Sequence, residues 1–291
     1  MQYATYLGGG ADAVNSIAAD AAGNAYVAGY TASSDFPRKY AYQYTLAGQD
    51  AFLAKIAPVA TGPAISVAGA TNAASYTAGV SPGEIFSIFG KDMAVTPGSS
   101  GAPPLPWQLS DVKVAVNGVA APLYYASPFQ INAQIPYETA LGTADVQVTS
   151  NAGTAHANVP VSATAPAIFT VNSLGTGAGA IEHGLSLQLV TDSNPAAPGE
   201  IVAVYCTGLG AVKPAAVTGD APSIPPQQTA STVSAYIGGA PATVSYAGLA
   251  PGFAGLYQVN VRVPDGTPAG AQSLEISIGG AMSNTVTIAV K

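Results

Sequence analysis

Short runs in which apolar and polar residues alternate, bounded by Gly, Pro, Asn and Asp, follow one another along most of this chain. Alternation with a period of two is the pattern of strands that bury one face. The side chains predicted to share a buried face are Val112, Val114 and Val116 in one strand and Val233, Ala235 and Ile237 in another. The pairs Asn117-Gly118 and Gly238-Gly239 follow these strands and predict tight hairpins, because both central residues of such turns adopt positive φ.

Further strands continue the same pattern in each half of the chain. They are predicted at Ala144 to Thr149 and Ala157 to Val161, and again at Ser273 to Ile278 and Thr285 to Val290. About seven short strands in ~100 residues predict an immunoglobulin-like β-sandwich. The Cys and Trp hallmarks of antibody domains are absent, so the pattern predicts the architecture alone.

The two halves are copies of each other. Pro82 to Gly90 reappears as Pro198 to Cys206, 116 residues later, and Gln130 to Pro136 returns as Gln258 to Pro264, 128 residues later. We interpret the change in spacing as loop insertion and the repeat as tandem duplication of one fold of ~100 residues. The predicted boundaries are 64–165 for the first sandwich and 166–291 for the second.

Residues 1–57 belong to neither copy. Four short strands are predicted here, at Tyr3 to Leu7, Ser16 to Ala19, Ala25 to Thr31 and Ala51 to Ile56, and they form one four-stranded antiparallel unit. A linker that contains Pro and Gly, 57–63, follows this unit. The predicted fold class is therefore all-β, with one four-stranded unit followed by two tandem immunoglobulin-like β-sandwich domains.

Few charged residues and many small ones distinguish the composition of this chain. Of its 291 residues, 8% are charged and 48% hydrophobic, whereas roughly 25% are charged in an average soluble domain. This apolar content excludes intrinsic disorder, and the 33 Gly and 23 Pro exclude long helical bundles. No stretch approaches the ~18 uninterrupted apolar residues of a spanning helix, so we expect a soluble chain without membrane insertion.

The charge balance argues against polyanionic partners. With 8 Lys and Arg against 15 Asp and Glu, the net charge is −7, which repels nucleic acids and anionic bilayers. No basic segment followed by an apolar one occurs at the N-terminus, so we do not expect a signal peptide within this chain. The single Cys206 cannot form an internal disulfide, so disulfides do not indicate the compartment.

The sequence offers little support for catalysis. One candidate pairs Cys206 as nucleophile with His183 as its base. The aligned residue of the first copy is Gly90, so this position requires a small residue, and we interpret Cys206 as a buried hydrophobe. We interpret Glu182 and His183 as a solvated pair in a Gly-rich loop. Zinc-binding motifs and paired carboxylates are absent, and we predict no enzyme, no metal site and no cofactor.

Two turns contain Asp and Asn residues that could bind calcium. Oxygens of Asp20 with Asn24, or of Asp192 with Asn194, are suitable ligands for calcium. Asp and Asn side chains more commonly cap their own turn, and we favour that interpretation at both places.

Two rows of polar side chains are the main candidate for a binding site. Alternation places one row on a strand face in each copy; the residues are Gln130, Asn132 and Gln134, then Gln258, Asn260 and Arg262. The residues between them, such as Ile131 and Val259, are predicted to face the core. Amides on a sheet face recognise sugar hydroxyls or a partner strand, or else they brace a neighbouring loop.

The N-terminal segment resembles a known repeat. The motifs Tyr3-Ala4-Thr5-Tyr6-Leu7-Gly8-Gly9, Ile17 to Thr31 and Ser34-Asp35-Phe36-Pro37 are similar to the bacterial SBBP-type β-propeller repeat. The resemblance covers about one repeat and implies that residues 1–57 form a propeller-like blade. Such repeats normally occur in sets, whereas this chain has one.

The remainder, residues 65–290, resembles the uncharacterised C-terminal domain of large secreted acidobacterial (Solibacter-type) proteins. The resemblance rests on motifs that include Asn72-Ala73-Ala74-Ser75-Tyr76, Thr207-Gly208-Leu209-Gly210 and Tyr246 to Gly252. That family has no assigned activity and no catalytic residues. The resemblance implies an extracellular or cell-surface location.

A single blade suggests a function, because one four-stranded sheet cannot bury both of its faces by itself. We therefore predict a non-catalytic structural or adhesive module of the cell surface that forms a homo-oligomer or polymer, such as a filament or layer. The blade and exposed strand edges are the predicted contacts. The alternative is a carbohydrate-binding module of a secreted protein, with a polysaccharide as partner.

Overall fold

The computed structural model of the protein describes residues 7–20, 24–37, 45, 47–56 and 62–291. Throughout these residues every regular element is a β-strand, and no helix is present that could cross a membrane. The chain divides into two compact units, Met1–Thr61 and Gly62–Lys291. The all-β fold class predicted from the alternating pattern is confirmed.

The described strands of the first unit form one antiparallel sheet. They are β1 (Asp12–Ala19), β2 (Ala25–Thr31) and β3 (Asp50–Ile56), in the order β1-β2-β3. Three of the four predicted strands are thus present. The fourth, at Tyr3 to Leu7, lies outside the described residues apart from Leu7, as do residues 57–61 of the predicted linker.

The second unit begins with a sandwich of two sheets. Its strands are β4 (Ala64–Asn72), β5 (Ile85–Lys91), β6 (Gly98–Ser99), β7 (Lys113–Val116), β8 (Val119–Ala121), β9 (Leu123–Ala126), β10 (Gln130–Gln134), β11 (Gly142–Ser150) and β12 (Gly153–Val161). One sheet has the order β4-β5-β10-β9-β6 and the other β12-β11-β7-β8. Side chains from both sheets, among them Val114, Ile131 and Val146, meet in a buried core.

A second sandwich completes this unit. Its strands are β13 (Ala167–Ile168), β14 (Ile181–His183), β15 (Ile201–Thr207), β16 (Val212–Lys213), β17 (Gln228–Thr229), β18 (Val233–Ile237), β19 (Ala240–Leu249), β20 (Tyr257–Arg262), β21 (Gly270–Ile278), β22 (Ala281–Met282) and β23 (Val286–Val290). β19 belongs to both layers, because residues 240–242 pair with β18 and residues 243–249 pair with β20. Val204, Val259 and Ile276 lie in the core.

The duplication predicted from the sequence recurs in the sheets. β5, β10 and β9 are neighbours in the first sandwich, as β15, β20 and β19 are in the second. A β-bulge recurs as well, since the register skips Tyr124 in β9 and Ser245 in β19. A bulge redirects the side chain of its extra residue. In the first copy it directs Tyr124 toward the second sandwich, where its hydroxyl donates to the Ala254 carbonyl oxygen at 2.7 Å.

The predicted local structure is also present. The side chains predicted to be buried on β7 and β18, and at Val112 just before β7, are buried. The four predicted closing strands coincide with β11, β12, β21 and β23 to within a few residues. The hairpin residues adopt left-handed conformations, with φ of 49° at Asn117, 79° at Gly118, 60° at Gly238 and 78° at Gly239.

Hydrogen bonds from buried side chains join the two sandwiches. Thr207 accepts a hydrogen bond from the Ile85 backbone N–H of the first sandwich and donates to the Gly255 carbonyl oxygen, both at 2.9 Å. Gly255 has φ of +69°, and a Cβ atom there would lie 2.5 Å from the Gly83 carbonyl oxygen. The close approach of the two backbones therefore requires glycine at position 255.

Candidate functional site

Strands β10 and β20 carry the two predicted polar rows. The residues that alternate with them are fully buried; they are Ile131, Ile135, Val259, Val261 and Val263. The side chains of Gln130 and Asn132 on β10, and of Gln258 and Asn260 on β20, are partly exposed. The predicted separation into a core face and a polar face is thus present in both copies.

Each row contains a hydrogen-bonded amide pair. Gln130 Nε2 donates to Asn132 Oδ1 at 2.9 Å, and Gln258 Nε2 donates to Asn260 Oδ1 at 2.7 Å. In the first copy Ser87 Oγ also donates to Asn132 Oδ1, at 3.0 Å. These donors occupy Oδ1 of Asn132. The Nδ2 group of Asn132 has no hydrogen-bond partner in the described part of the chain and is therefore available to a ligand.

Gln134 does not face a ligand, contrary to the prediction made for it. Its side chain is 0% exposed. Its Nε2 donates to the Gly83 carbonyl oxygen at 3.0 Å, and its Oε1 accepts from the Gly219 backbone N–H at 2.7 Å. Gln134 therefore links the two sandwiches and is not available to a ligand, because the second sandwich covers this end of β10. Among the predicted row residues, it fits the alternative of an amide that braces a neighbouring loop.

Arg262, at the corresponding position of β20, lies in a different environment. Its Nη2 donates to both carboxylate oxygens of Asp265 at 2.9 Å, three residues along the chain. The Arg262 side chain is 42% exposed and the Asp265 side chain 73% exposed. An exposed ion pair of this kind contributes at most ~1 kcal/mol to stability.

Asn132 lines a cleft between the two sandwiches with a volume of about 290 Å³. The first sandwich supplies Tyr76 and Tyr124 as well, and the second supplies Phe169 and Thr170. The lining contains aromatic rings, hydroxyls and one amide, and no charged side chain. Of the predicted row residues, Asn132 is the one that borders this cleft.

The turn after β4 positions Tyr76. Asn72 Oδ1 accepts hydrogen bonds from the backbone N–H groups of Ala74 and Ser75, at 2.8 and 3.2 Å. Tyr76 follows in a left-handed conformation, with φ of 58°, and its ring centroid lies 5.9 Å from that of Phe89. The motif from Asn72 to Tyr76 carries part of the family resemblance, but no local pattern of the sequence marks Tyr76 as a site residue.

A second and more open groove, of about 550 Å³, crosses β7 and β11. Trp107, Lys113, Gln147 and Thr149 are among the residues that line it. Trp107 is half exposed. This groove lies on the outer face of the sheet and shares no lining residue with the cleft at Asn132.

Cys206 is a core residue, as its alignment with Gly90 predicted. It is fully buried, and burial raises the pKa of its thiol. His183 lies opposite Val202 on β15, whereas Cys206 lies opposite Ile168. The two positions on β15 are four residues apart, about 13 Å along an extended strand. The register thus separates His183 from Cys206.

The prediction of a solvated loop pair at Glu182 and His183 is wrong. Both residues belong to β14, and His183 is buried. His183 Nδ1 lies 2.5 Å from a carboxylate oxygen of Glu200, and its Nε2 lies 3.1 Å from the Asn194 carbonyl oxygen. Glu182 accepts a hydrogen bond from the Tyr205 hydroxyl at 2.9 Å. This segment packs on the sandwich because β14 pairs with β15. The Gly-rich sequence does not predict this pairing.

The turn proposed for calcium at Asp20 has the geometry of a capped turn. Asp20 accepts hydrogen bonds from the Asn24 backbone N–H at 3.0 Å and from Asn24 Nδ2 at 2.7 Å. In the second turn, Thr191 Oγ1 accepts from the Asn194 backbone N–H at 3.1 Å. Within the described ranges, no group of three or more His, Cys, Asp or Glu side chains is placed to hold a metal ion.

A buried carboxyl group was missed by the sequence analysis. Glu84 is fully buried, and its Oε2 accepts from the Ser81 backbone N–H at 2.8 Å and from the Ser81 hydroxyl at 3.1 Å. Its Oε1 has no hydrogen-bond partner among the described residues. Burial raises the pKa of this carboxyl well above its usual value. A signal was present, because the Pro-Gly-Glu motif recurs at Glu200.

Glu200 occupies the same motif position in the second copy with a different result. Partial burial raises its pKa, but hydrogen bonds from the Ala197 backbone N–H and from His183, with the nearby charge of Lys291, outweigh burial and lower the pKa. The two copies thus place equivalent carboxyl groups in environments that shift their pKa values in opposite directions.

Comparison with known proteins supports the resemblance of the first segment. The family model of the SBBP β-propeller repeat matches residues 2–37. No curated protein matches the chain in sequence. The resemblance of residues 65–290 to the acidobacterial C-terminal domain stays a prediction.

Several solved structures show a distant likeness. SGBP-B of the Bacteroides ovatus mixed-linkage glucan utilization locus, in complex with a mixed-linkage heptasaccharide, is 12% identical, with a TM-score of 0.35 over 93% of this chain and 53% of that one. SGBP-B of a Bacteroides uniformis xyloglucan utilization locus is 13% identical, with a TM-score of 0.24 over 78% of this chain and 49% of that one. Domains 5-6 of the S-layer protein SbsC are 14% identical, with a TM-score of 0.24 over 79% of this chain and 98% of that one.

This chain spans about half the length of the two SGBP-B structures. TM-scores this low do not establish a shared fold or a shared function with any of the three proteins. The segment similar to a known family is therefore residues 2–37, which resemble the β-propeller repeat.

Proposed function

We propose that this chain is a non-catalytic structural or adhesive module of an extracellular or cell-surface protein, and that it assembles with copies of itself through the first unit. The observation that carries the proposal is the exposure of large apolar side chains on both faces of the β1-β2-β3 sheet. Exposed apolar surface of this kind favours association.

The register assigns the exposed side chains to their faces. Ile17, 70% exposed, lies opposite Val27, which in turn lies opposite Ala54 on β3, so the three share one face. Leu53 is 76% exposed and precedes Ala54, so it lies on the other face. Tyr30, which pairs with Ala51 on β3, adds to the face of Leu53.

The first unit has little core of its own. Among its described residues, the buried hydrophobic side chains are Val27 and Phe36, whereas each sandwich has a continuous buried core. In a propeller, neighbouring blades cover the faces of such a sheet. A second copy of this chain brings a sheet of the same kind and covers these faces in the same way.

Electrostatic repulsion is a small obstacle to this association. The charged residues of β1, β2 and β3 are Asp12, Asp50 and Lys55. The Lys55 ammonium lies 5.6 Å from the centre of the Tyr26 ring, a favourable cation–π distance. Two such sheets therefore meet without bringing many like charges together.

Sedimentation velocity and electron microscopy of the full chain over a concentration series test the proposal. We expect the particle mass to rise with concentration, and the double variant Ile17→Asp, Leu53→Asp to remain monomeric because it places a charge on each face. Leu185→Asp is the matched control, since Leu185 is fully exposed in the second sandwich. A wild-type chain that stays monomeric at every concentration contradicts the proposal, and so does a control that abolishes assembly.

A second candidate function is carbohydrate binding. The uncharged amide pairs Gln130–Asn132 and Gln258–Asn260 support it, because amides on a sheet face offer donors and acceptors to sugar hydroxyls. A glycan array and sedimentation with insoluble polysaccharides test this function on the full chain. Retention on at least one neutral polysaccharide is expected, and a chain retained on none of them excludes this candidate.

A further inference from the structure

We propose that the cleft between the two sandwiches binds a neutral saccharide, with Tyr76 and Asn132 as its principal contacts. This inference rests on the second candidate function, carbohydrate binding, and assigns it a site. The cleft of about 290 Å³ is close to the lower end of the ~300–1,000 Å³ range of small-molecule sites.

The lining of the cleft indicates the class of ligand. Ala73, Ala74 and Ile85 supply apolar surface, and the rings of Tyr76 and Phe169 supply aromatic surface. A sugar ring presents C–H groups that pack on such surfaces. No side chain of the lining carries a charge, so the cleft lacks the partner that a phosphate, a carboxylate or an amine would need.

Polar groups of both sandwiches converge on the cleft. Asn132 offers its Nδ2 group, because its Oδ1 already accepts bonds from Gln130 and Ser87. Thr170 Oγ1 accepts from two backbone N–H groups, those of Leu174 at 3.2 Å and Gly175 at 3.1 Å, and retains its proton as a donor. Hydroxyls both donate and accept, so they match this set of groups, whereas a purely apolar ligand leaves it unpaired.

The backbone on both sides of the cleft adopts an unfavourable conformation. Tyr76, on one wall, has φ of 58°, and Ser173, on the other, has φ of 55°. A non-glycine residue in this region is energetically unfavourable, and such residues cluster at functional sites. For Tyr76 the conformation holds a large aromatic ring against the cleft, where a glycine would satisfy the turn equally well.

The walls of the cleft are held at a fixed separation. The Tyr124 hydroxyl donates to the Ala254 carbonyl oxygen at 2.7 Å and accepts from the Ala254 backbone N–H at 2.8 Å. These bonds join the two sandwiches at a residue that itself lines the cleft. A preformed cleft binds a ligand without the entropic cost of ordering its own walls.

Isothermal titration of the full chain with neutral hexasaccharides of glucan, mannan and xylan tests the inference. We expect at least one of them to bind, and Asn132→Ala and Tyr76→Gly each to weaken that binding about tenfold. Glycine suits a φ of 58°, so Tyr76→Gly removes the ring while the turn is retained. Asn158→Ala is the matched control, because it removes an exposed amide of the first sandwich that lines neither the cleft nor the groove on β7 and β11.

The outcomes separate the site from the function. Binding that weakens in Asn132→Ala and Tyr76→Gly but not in Asn158→Ala supports the cleft. Binding that neither cleft variant weakens overturns the cleft and leaves carbohydrate binding standing, and its loss in Trp107→Ala places the site in the groove on β7 and β11. A chain that binds none of the hexasaccharides overturns the cleft, and the glycan array then decides the function.

Discussion

The buried carboxyl of Glu84 makes stability depend on pH in a direction opposite to that of most carboxyl groups. Burial raises its pKa in the folded protein above the ordinary value of 4.5. The unfolded chain therefore loses this proton at a lower pH than the folded chain. Below the ordinary pKa, Glu84 is protonated in both states and makes no pH-dependent contribution to stability. As pH rises from there toward its folded pKa, Glu84 progressively lowers the free energy of unfolding. The substitution Glu84→Gln should remove this dependence, because glutamine has nearly the same shape and carries no charge.

The magnitude follows from proton linkage. One proton bound in the folded state and absent from the unfolded state changes the free energy of unfolding by ~1.4 kcal/mol per pH unit. From about pH 5 upward, the stability of Glu84→Gln relative to wild type should thus increase by up to that amount per unit. The increase should stop where Glu84 ionises in the folded protein.

Urea unfolding at a series of pH values measures this difference. Trp107 is the single tryptophan and precedes β7 in the first sandwich, so its fluorescence reports unfolding of the sandwich that contains Glu84. Far-UV circular dichroism follows both sandwiches. Subtraction of the two pH profiles cancels the titration of every group that wild type and variant share.

Glu200→Gln is the matched control, because Glu200 occupies the equivalent motif position with a lowered pKa. Its favourable contribution is present above the ordinary pKa of 4.5 and is lost as pH falls through its folded pKa. Glu200→Gln should therefore lower stability at neutral pH and have less effect in acid. Parallel pH profiles for wild type and Glu84→Gln, or the same sign for both variants, would refute the assignment of opposite shifts to the two copies.

Three further predictions concern the sandwiches. Gly255→Ala should lower the free energy of unfolding by more than ~1 kcal/mol, because a Cβ atom would contact a backbone carbonyl of the first sandwich. Gly239→Ala, at a similar φ with nothing within 4 Å, should cost less, and equal shifts in urea midpoint would contradict the role of close approach. Tyr257→Phe should cost about 1 kcal/mol in thermal unfolding, since the buried hydroxyl donates to a backbone carbonyl at 2.5 Å, and an unchanged midpoint would argue against that bond. The Cys206 thiol should resist a disulfide reagent in the native protein and react after denaturation, because burial excludes the reagent and raises the thiol pKa; rapid native reaction would contradict its burial.

Much of the fold is predictable because strands carry a local signal. The period of two depends on residues two apart, and it assigned Ile131 and Val259 to the core without reference to any partner strand. The hairpin at Asn117-Gly118 depends on the conformational preferences of two residues, which the sequence states directly. The duplication was visible for the same reason, since equivalent strands repeat equivalent patterns.

The candidate site was predictable only in part. Asn132 belongs to a row that alternation revealed, whereas Tyr76 and Thr170 are 56 and 38 residues away from it in sequence. No periodicity connects residues at such separations. The cleft that they share exists because the second sandwich packs beside the first, and packing of this kind is a property of the folded chain.

Equivalent positions of the two copies show which properties the sequence did not determine. The sequence by itself determined the strands, the buried faces and the repeat, because each of these depends on neighbours along the chain. Gln134 and Arg262 hold the same place in their rows, and Glu84 and Glu200 the same place in their motifs. Only the tertiary structure decided that one member of each pair is buried at the junction, where Gln134 meets Gly219 across 85 residues of chain. Burial sets which amide is available to a ligand and which carboxyl has a raised pKa, because removal from water depends on all surrounding atoms and not on sequence neighbours alone.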